Sequence, residues 1–142
     1  MNNITIKIID SATEMYAQYD LIKQLSKNVS YQNYCLMIDE MVLLNYKQAV
    51  AYLNNKPVGV CGYWINTKIY AGKYVELDNV VTDENYRGKK IGALLCNFVL
   101  KIAKENYCKT AMLDAYLENE SAHSFYQNLG FDKKGYHFIK SI

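Results

Sequence analysis

Seven consecutive residues, Arg87-Gly88-Lys89-Lys90-Ile91-Gly92-Ala93, hold the densest chemistry in this chain, including its only arginine among 16 basic residues. A strand-like run, Tyr74 to Thr82, precedes them, and a helix-like run, Ile91 to Ala103, follows. Such a turn can bind phosphate groups. The free N–H groups of a helix N-terminus supply donors and positive potential. Gly88 and Gly92 let the backbone approach the oxygens with no Cβ in the way. Arg87, Lys89 and Lys90 add charge. The stretch is neither a Walker loop nor GxGxxG, since Gly88 and Gly92 stand four apart and no Gly-Lys-Ser/Thr follows. Nucleotide hydrolysis and Rossmann dinucleotide binding are therefore disfavoured.

Carboxylates lie close by in sequence. Glu76 and Asp78 are two apart on the strand-like run and so share a face. Asp114 stands at the end of the next strand-like run, Thr110 to Ala115. The four cysteines, Cys35, Cys61, Cys96 and Cys108, form no CxxC pair, and His123 and His137 show no ligand spacing beside them. They read as reduced, mostly buried thiols, with no metal expected. With 14 tyrosines in the chain, most are amphipathic residues at the edge of a core.

These residues need a scaffold, and 142 residues suit one domain with one core, taken as 1–142. Hydrophobic residues make up 51% and charged residues 21%, a soluble globular composition. A net charge of +2, with the lysines spread along the chain, does not argue for nucleic acid. No apolar run approaches the ~18 residues of a membrane span, and the start lacks a signal-peptide block. A cytoplasmic location is the expectation.

Ile4-Ile6-Ile8 alternates as a first strand. Ser11 and Glu14 have capping-box spacing for a helix with Met15, Tyr19, Ile22 and Leu25 on one face. A second helix is expected over Tyr31 to Asn45. Ala49 to Leu53 and Val58 to Trp64 read as a hairpin turned at Asn54-Asn55-Lys56-Pro57. Ile91, Leu94, Leu95, Phe98, Val99 and Ile102 recur at helical spacing. Asn119 can N-cap a last helix carrying Ala122, Phe125, Tyr126 and Leu129, with Gly130 at its end. The twelve residues after Gly130 would hold one strand or two very short ones. The order is β-α-α-β-β-β-α-β-α-β(β), an α/β (α+β) domain with a crossover onto a mixed sheet.

The stretch from Arg87 resembles motif A of the GNAT superfamily of N-acetyltransferases, Arg/Gln-x-x-Gly-x-Gly/Ala. Arg87 and Gly92 match its ends, and Lys90 stands where the fourth-position glycine is usual. Leu77-Asp78-Asn79-Val80-Val81-Thr82 is similar to the family's preceding strand. Asn119 to Phe131 is similar to its N-x(6)-Y-x(3)-GF signature. The resemblance implies a mixed, mostly antiparallel sheet of six to seven strands flanked by about four helices. It implies acetyl transfer from acetyl-CoA, with no metal, to an amine acceptor, by direct attack within a ternary complex.

Site residues follow from the same resemblance. It sets the cofactor's pyrophosphate against Gly88, Lys89, Lys90, Ile91, Gly92 and Ala93. It runs the pantetheine arm along Val80, Val81 and Thr82, where the family's sheet splays apart. Asn119 helps hold the cofactor, and a backbone N–H near Val80 polarises the thioester carbonyl. Tyr126 matches the tyrosine that protonates the leaving thiolate. A phenol of pKa near ~10 can do this for a thiolate of ~8.5 and stays protonated at neutral pH. Asp78, Glu76 and Asp114 are the candidate bases, acting directly or through water, with Asp78 preferred for its nearness to the cofactor strand. His123 is expected to face solvent. A short tail implies an open site for a peptide amine, polyamine or small metabolite amine, and an exposed sheet edge that invites a homodimer. The competing reading is a GNAT-like module that holds acyl-CoA as a sensor or docking domain without turnover.

Overall fold

The computed structural model describes residues 3–142. Five strands form one sheet in the order β1-β2-β3-β4-β5: β1 (Ile4–Ile9), β2 (Lys47–Leu53), β3 (Lys56–Lys68), β4 (Gly72–Thr82) and β5 (Thr110–Met112). The first four pair antiparallel, and β5 joins β4 in parallel. Helices α1 (Ala12–Tyr16), α2 (Tyr19–Leu25) and α3 (Tyr31–Leu43) cover one face. Helices α4 (Ile91–Glu105) and α5 (Glu120–Asn128) cover the other. No described helix is long and apolar enough to cross a membrane.

Local sequence accounts for most boundaries. Ser11 Oγ accepts from the Glu14 N–H at 3.3 Å, and Ser30 Oγ caps α3 through the Asn33 N–H at 3.1 Å. Asn54 and Asn55 both take positive φ, 51° and 66°, the two-residue hairpin turn that asparagine tolerates. Asn119 Oδ1 accepts from the Ala122 N–H at 3.2 Å and opens α5, and Gly130 closes it at φ +96°. The α4 stripe of Ile91, Leu95, Val99 and Ala103 is buried on the sheet. Each larger member contributes ~1.5–3 kcal/mol of apolar burial.

Three expectations change. The first helix is two, because the chain bends at Ala17–Gln18, where the Gln18 N–H bonds to Met15 O three residues back. The bend turns Leu21 and Ile22 inward and leaves Leu25 half exposed. Five α-helices therefore replace four. The sheet has five strands among the described residues, not six to seven, because no strand forms after Gly130. Tyr136, Phe138, Ile139 and Ile142 stay exposed there, so the tail has no buried face to fix a register.

Two features of β4 position the site. Its ladder with β5 spans only Tyr74 to Glu76, so Leu77 to Thr82 has no strand on that side. On the β3 side, Gly62 pairs with Asp78 but Cys61 pairs with Val80. Asn79 is the extra residue of a β-bulge, in the left-handed region at φ 61°. The bulge resets the alternation. Val75 and Leu77 face α4; beyond the bulge Val80 faces α4 and Val81 faces the α1–α3 layer.

Candidate active site

A cleft of about 840 Å³ opens where β4 loses its neighbour. Its walls are the free end of β4, the turn into α4, the first turn of α4 and the inner face of α5. Of the sequence-predicted residues, Val80, Val81, Thr82, Arg87, Gly88, Lys90, Ile91, Gly92, Ala93, Asn119 and Tyr126 line it. Lys89 does not; its ammonium sits over the Tyr86 ring, 5.4 Å from the centroid.

The turn is built to present main chain. Asp83 starts a 3-10 turn (Glu84–Tyr86) by accepting from the Asn85 N–H at 3.0 Å. Gln24 at the end of α2 accepts from the Glu84 N–H at 2.9 Å and ties the turn to the helical layer. Arg87 Nε donates to the Thr82 carbonyl at 3.4 Å, so the guanidinium braces the loop against β4. Gly88 then takes φ +78°. Lys90 follows at φ 65°, ψ 17°, and caps α4 with no side-chain hydrogen bond. The first-turn N–H groups of α4 therefore point into the cleft with no capping side chain, which fits an anionic diphosphate.

Lys90 holds a backbone shape that suits glycine. A non-glycine residue there costs about 1 kcal/mol. Lys90→Gly is expected to raise unfolding stability by about that amount, less any loss to unfolded-chain entropy. Denaturant titration at matched slope measures the shift.

Gly92 has a packing reason of its own. A Cβ there would lie 3.3 Å from Phe125 Cζ and 3.5 Å from Thr82 Oγ1, so the glycine lets α5 close against α4. Phe125 lies edge-on to Tyr126 at 5.0 Å, and Tyr126 edge-on to Phe131 at 6.0 Å. Tyr126 thus stands in an aromatic wall at the cleft. Its pKa is raised well above the usual phenol value, first by burial and then by the nearby thiols of Cys96 and Cys61. The phenol is a hydrogen-bond donor through the whole neutral range.

The carboxylates lie outside the cleft lining. Glu76 and Asp78 alternate with Val75 and Leu77, which face α4, so they occupy the opposite face of β4. Trp64 Nε1 donates to Asp78 Oδ2 at 2.9 Å. Glu76 has a raised pKa, chiefly from burial and then from the charges of Asp114 and Asp78. Asp114 Oδ2 lies 3.2 Å from His137 Nδ1 of the tail, both side chains being 57% exposed. His123 Nε2 contacts the Tyr116 carbonyl at 2.8 Å.

Sequence reasoning missed Gln24 and Leu25, which reach the cleft from α2, and Tyr86, Ser121 and Ala122. It read Leu25 as part of the helix's apolar face, whereas the residue is half exposed and lines the cleft. It also missed the Asn79 bulge.

The "Acetyltransferase (GNAT) family" profile matches residues 11–131. An uncharacterised N-acetyltransferase of Methanocaldococcus jannaschii is 33% identical over 88 residues, 60% of this chain and 38% of that protein. The N-alpha-acetyltransferase 30 of Xenopus laevis is 25% identical over 134 residues, 92% of this chain and 48% of that protein. The chain thus spans less than half the length of these curated relatives. An aminoglycoside N-acetyltransferase solved in complex with CoA superimposes with a TM-score of 0.86 at 16% identity, over 99% of this chain and 95% of that one. At that identity the likeness is one of fold.

Proposed function

The chain belongs to the GNAT acetyltransferase family, and from that premise we propose that it is an acetyl-CoA-dependent N-acetyltransferase whose acceptor is a primary amine. The observation that carries the reading is the cleft itself. One opening joins three things the reaction needs: unpaired β4 main chain, an uncapped α4 N-terminus and the Tyr126 phenol.

Each group then has a task. The first turn of α4 receives the pyrophosphate through main-chain N–H groups, with Lys90 adding a cation. The free edge of Val80 to Thr82 pairs with the pantetheine amides as an added strand would. A main-chain N–H of the Asn79–Val80 segment meets the thioester oxygen as it gains negative charge. On the far face of β4, Glu76 takes a proton from the entering ammonium, directly or through water. The amine nitrogen bonds to the acetyl carbon, the carbon–sulfur bond breaks, and Tyr126 gives its proton to the leaving sulfur; the second proton that the nitrogen sheds as it becomes an amide passes through water and restores the phenol. Acetyl-CoA supplies the activated acyl group.

Glu76 gains weight over Asp78 because Trp64 engages one Asp78 oxygen, while burial and like charge raise the Glu76 carboxyl above its ordinary value. A base must be ionised to act. With its pKa raised, Glu76 loses function as pH falls through a value above the ordinary carboxylate range. Glu76→Gln is expected to lower kcat/KM about 30-fold near neutral pH and to abolish the acid limb of its profile. An unchanged limb would assign the base elsewhere.

Following free thiol from acetyl-CoA across a panel of amines tests the whole reading. Amine-dependent release supports it. Retention of CoA without turnover on any amine would instead indicate a non-catalytic acyl-CoA module. Failure to retain CoA would remove both. A cytoplasmic setting fits the four unpaired cysteines. The outer edge of β5 carries no further strand among the described residues, which suits a homodimer; a monomeric mass in solution would count against one.

A further inference from the structure

The bulge in β4 is held from below by buried polar side chains that take no direct part in the reaction described above. Asn79 Nδ2 donates to Tyr46 Oη at 3.0 Å. Gln48 Nε2 donates to the same oxygen and to Tyr34 Oη, at 3.4 Å each. Tyr34 Oη in turn donates to the Met15 carbonyl at 2.7 Å. Tyr46 is 1% exposed and Gln48 0%, so the chain of bonds runs through the buried core from α1 to the bulge. The Tyr46 ring packs on Trp64, centroids 5.0 Å apart, and Trp64 holds Asp78, the residue before Asn79. Both side chains at the bulge are therefore anchored to one scaffold.

That anchoring has a consequence for direction. Successive N–H groups of a strand point to opposite edges. If Asn79 relaxed to an extended conformation, the extra residue would be absorbed and the run beyond it would slip by one. Val80 and Val81 would exchange faces, and the N–H groups turned toward the open edge would be replaced by their neighbours.

We propose that Tyr46 and Gln48 are positioning residues for acetyl transfer: they hold Asn79 in its left-handed conformation and so aim the main-chain N–H of the Asn79–Val80 segment at the cleft. The proposal rests on the acetyltransferase reading above. Neither side chain lines the cleft, so both act through the bulge.

Tyr46→Phe keeps the ring and deletes the oxygen that receives the Asn79 amide. It is expected to lower kcat about tenfold or more and to weaken CoA binding as well, because the main chain that slips with the bulge is the edge that meets the pantetheine amides. In the ligand-free protein, the Val80 and Val81 amides should exchange with solvent about tenfold faster. Asn79 gives a second measure. Glycine accepts the left-handed conformation and alanine resists it, so kcat should rank Asn79 above Asn79→Gly, and Asn79→Gly above Asn79→Ala. A side chain that merely fills space would put alanine above glycine. Should Tyr46→Phe fail to fold, the Asn79 ranking decides alone. Unchanged kcat and exchange in a folded Tyr46→Phe, or alanine equal to or above glycine, overturns the proposal while leaving the acetyltransferase reading intact. Absence of CoA binding and turnover in the unsubstituted protein overturns both.

Discussion

Tyr126→Phe is expected to lower amine-dependent thiol release from acetyl-CoA by about 100-fold, with CoA affinity changed less than about twofold. The substitution keeps the ring in its edge-on contacts with Phe125 and Phe131, so the aromatic wall stands. What goes is one proton donor at the cleft. Burial keeps the phenol protonated at neutral pH, and in that form it can hydrogen-bond to the sulfur and pass it a proton as the carbon–sulfur bond opens. The phenylalanine variant leaves that sulfur to water. The loss should fall on kcat, because the donor matters most when charge builds on the sulfur. A good leaving group should restore part of the rate, so thioesters of more acidic thiols are expected to show a smaller loss. Thiol release that survives the change undiminished would remove the acid role from Tyr126.

Gly62→Ala is expected to cost about 3 kcal/mol or more of stability. Gly62 faces the bulge from β3. A Cβ there would sit 2.1 Å from Tyr46 Oη and 2.4 Å from the Asp78 carbonyl oxygen. Neither atom can yield cheaply: Tyr46 is buried and doubly hydrogen-bonded, and the carbonyl is backbone. Gly59→Ala, three residues earlier on the same strand, is the control. Its nearest neighbour is Leu95 Cδ1 at 2.9 Å, the end of a side chain that can turn aside, and about 1 kcal/mol is expected. Urea midpoints for the two variants should differ clearly. Equal midpoints would mean that the bulge relaxes without cost, which would also weaken the role given to Tyr46.

The sequence made the two ends of the cleft readable because their signals are local. Arg87 to Ala93 announces a turn into a helix, and Asn119 announces a cap with a tyrosine two turns on. Each is decided within about ten residues of chain. The GNAT fold was legible for the same reason, through the two motifs and the order of elements. The Asn79 bulge was not. Leu77-Asp78-Asn79-Val80-Val81 reads as plain strand, and the partner that makes Asn79 an extra residue, Gly62, is far away in sequence. Only the asparagine, tolerant of positive φ, is a local hint. The tail failed in the opposite way. Its apolar residues suggest a strand, but β5 is three residues long and offers too short an edge to fix one. The sharing of a face by Glu76 and Asp78 was readable from period two; the raised pKa of Glu76 depended on burial and on Asp114, both set by packing.

The indole that braces the bulge is also the protein's sole tryptophan. Trp64 hydrogen-bonds Asp78 and lies against Tyr46, so it sits between the carboxylate face and the polar chain under Asn79. Its emission colour and lifetime depend on both neighbours. The molecule therefore carries an unlabelled optical gauge at the centre of its own machinery: excitation selective for indole reads one location, undiluted by the 14 tyrosines elsewhere. Acceptor binding, protonation beside Asp78 and loosening of the bulge each become events that can be timed in a stopped-flow cell.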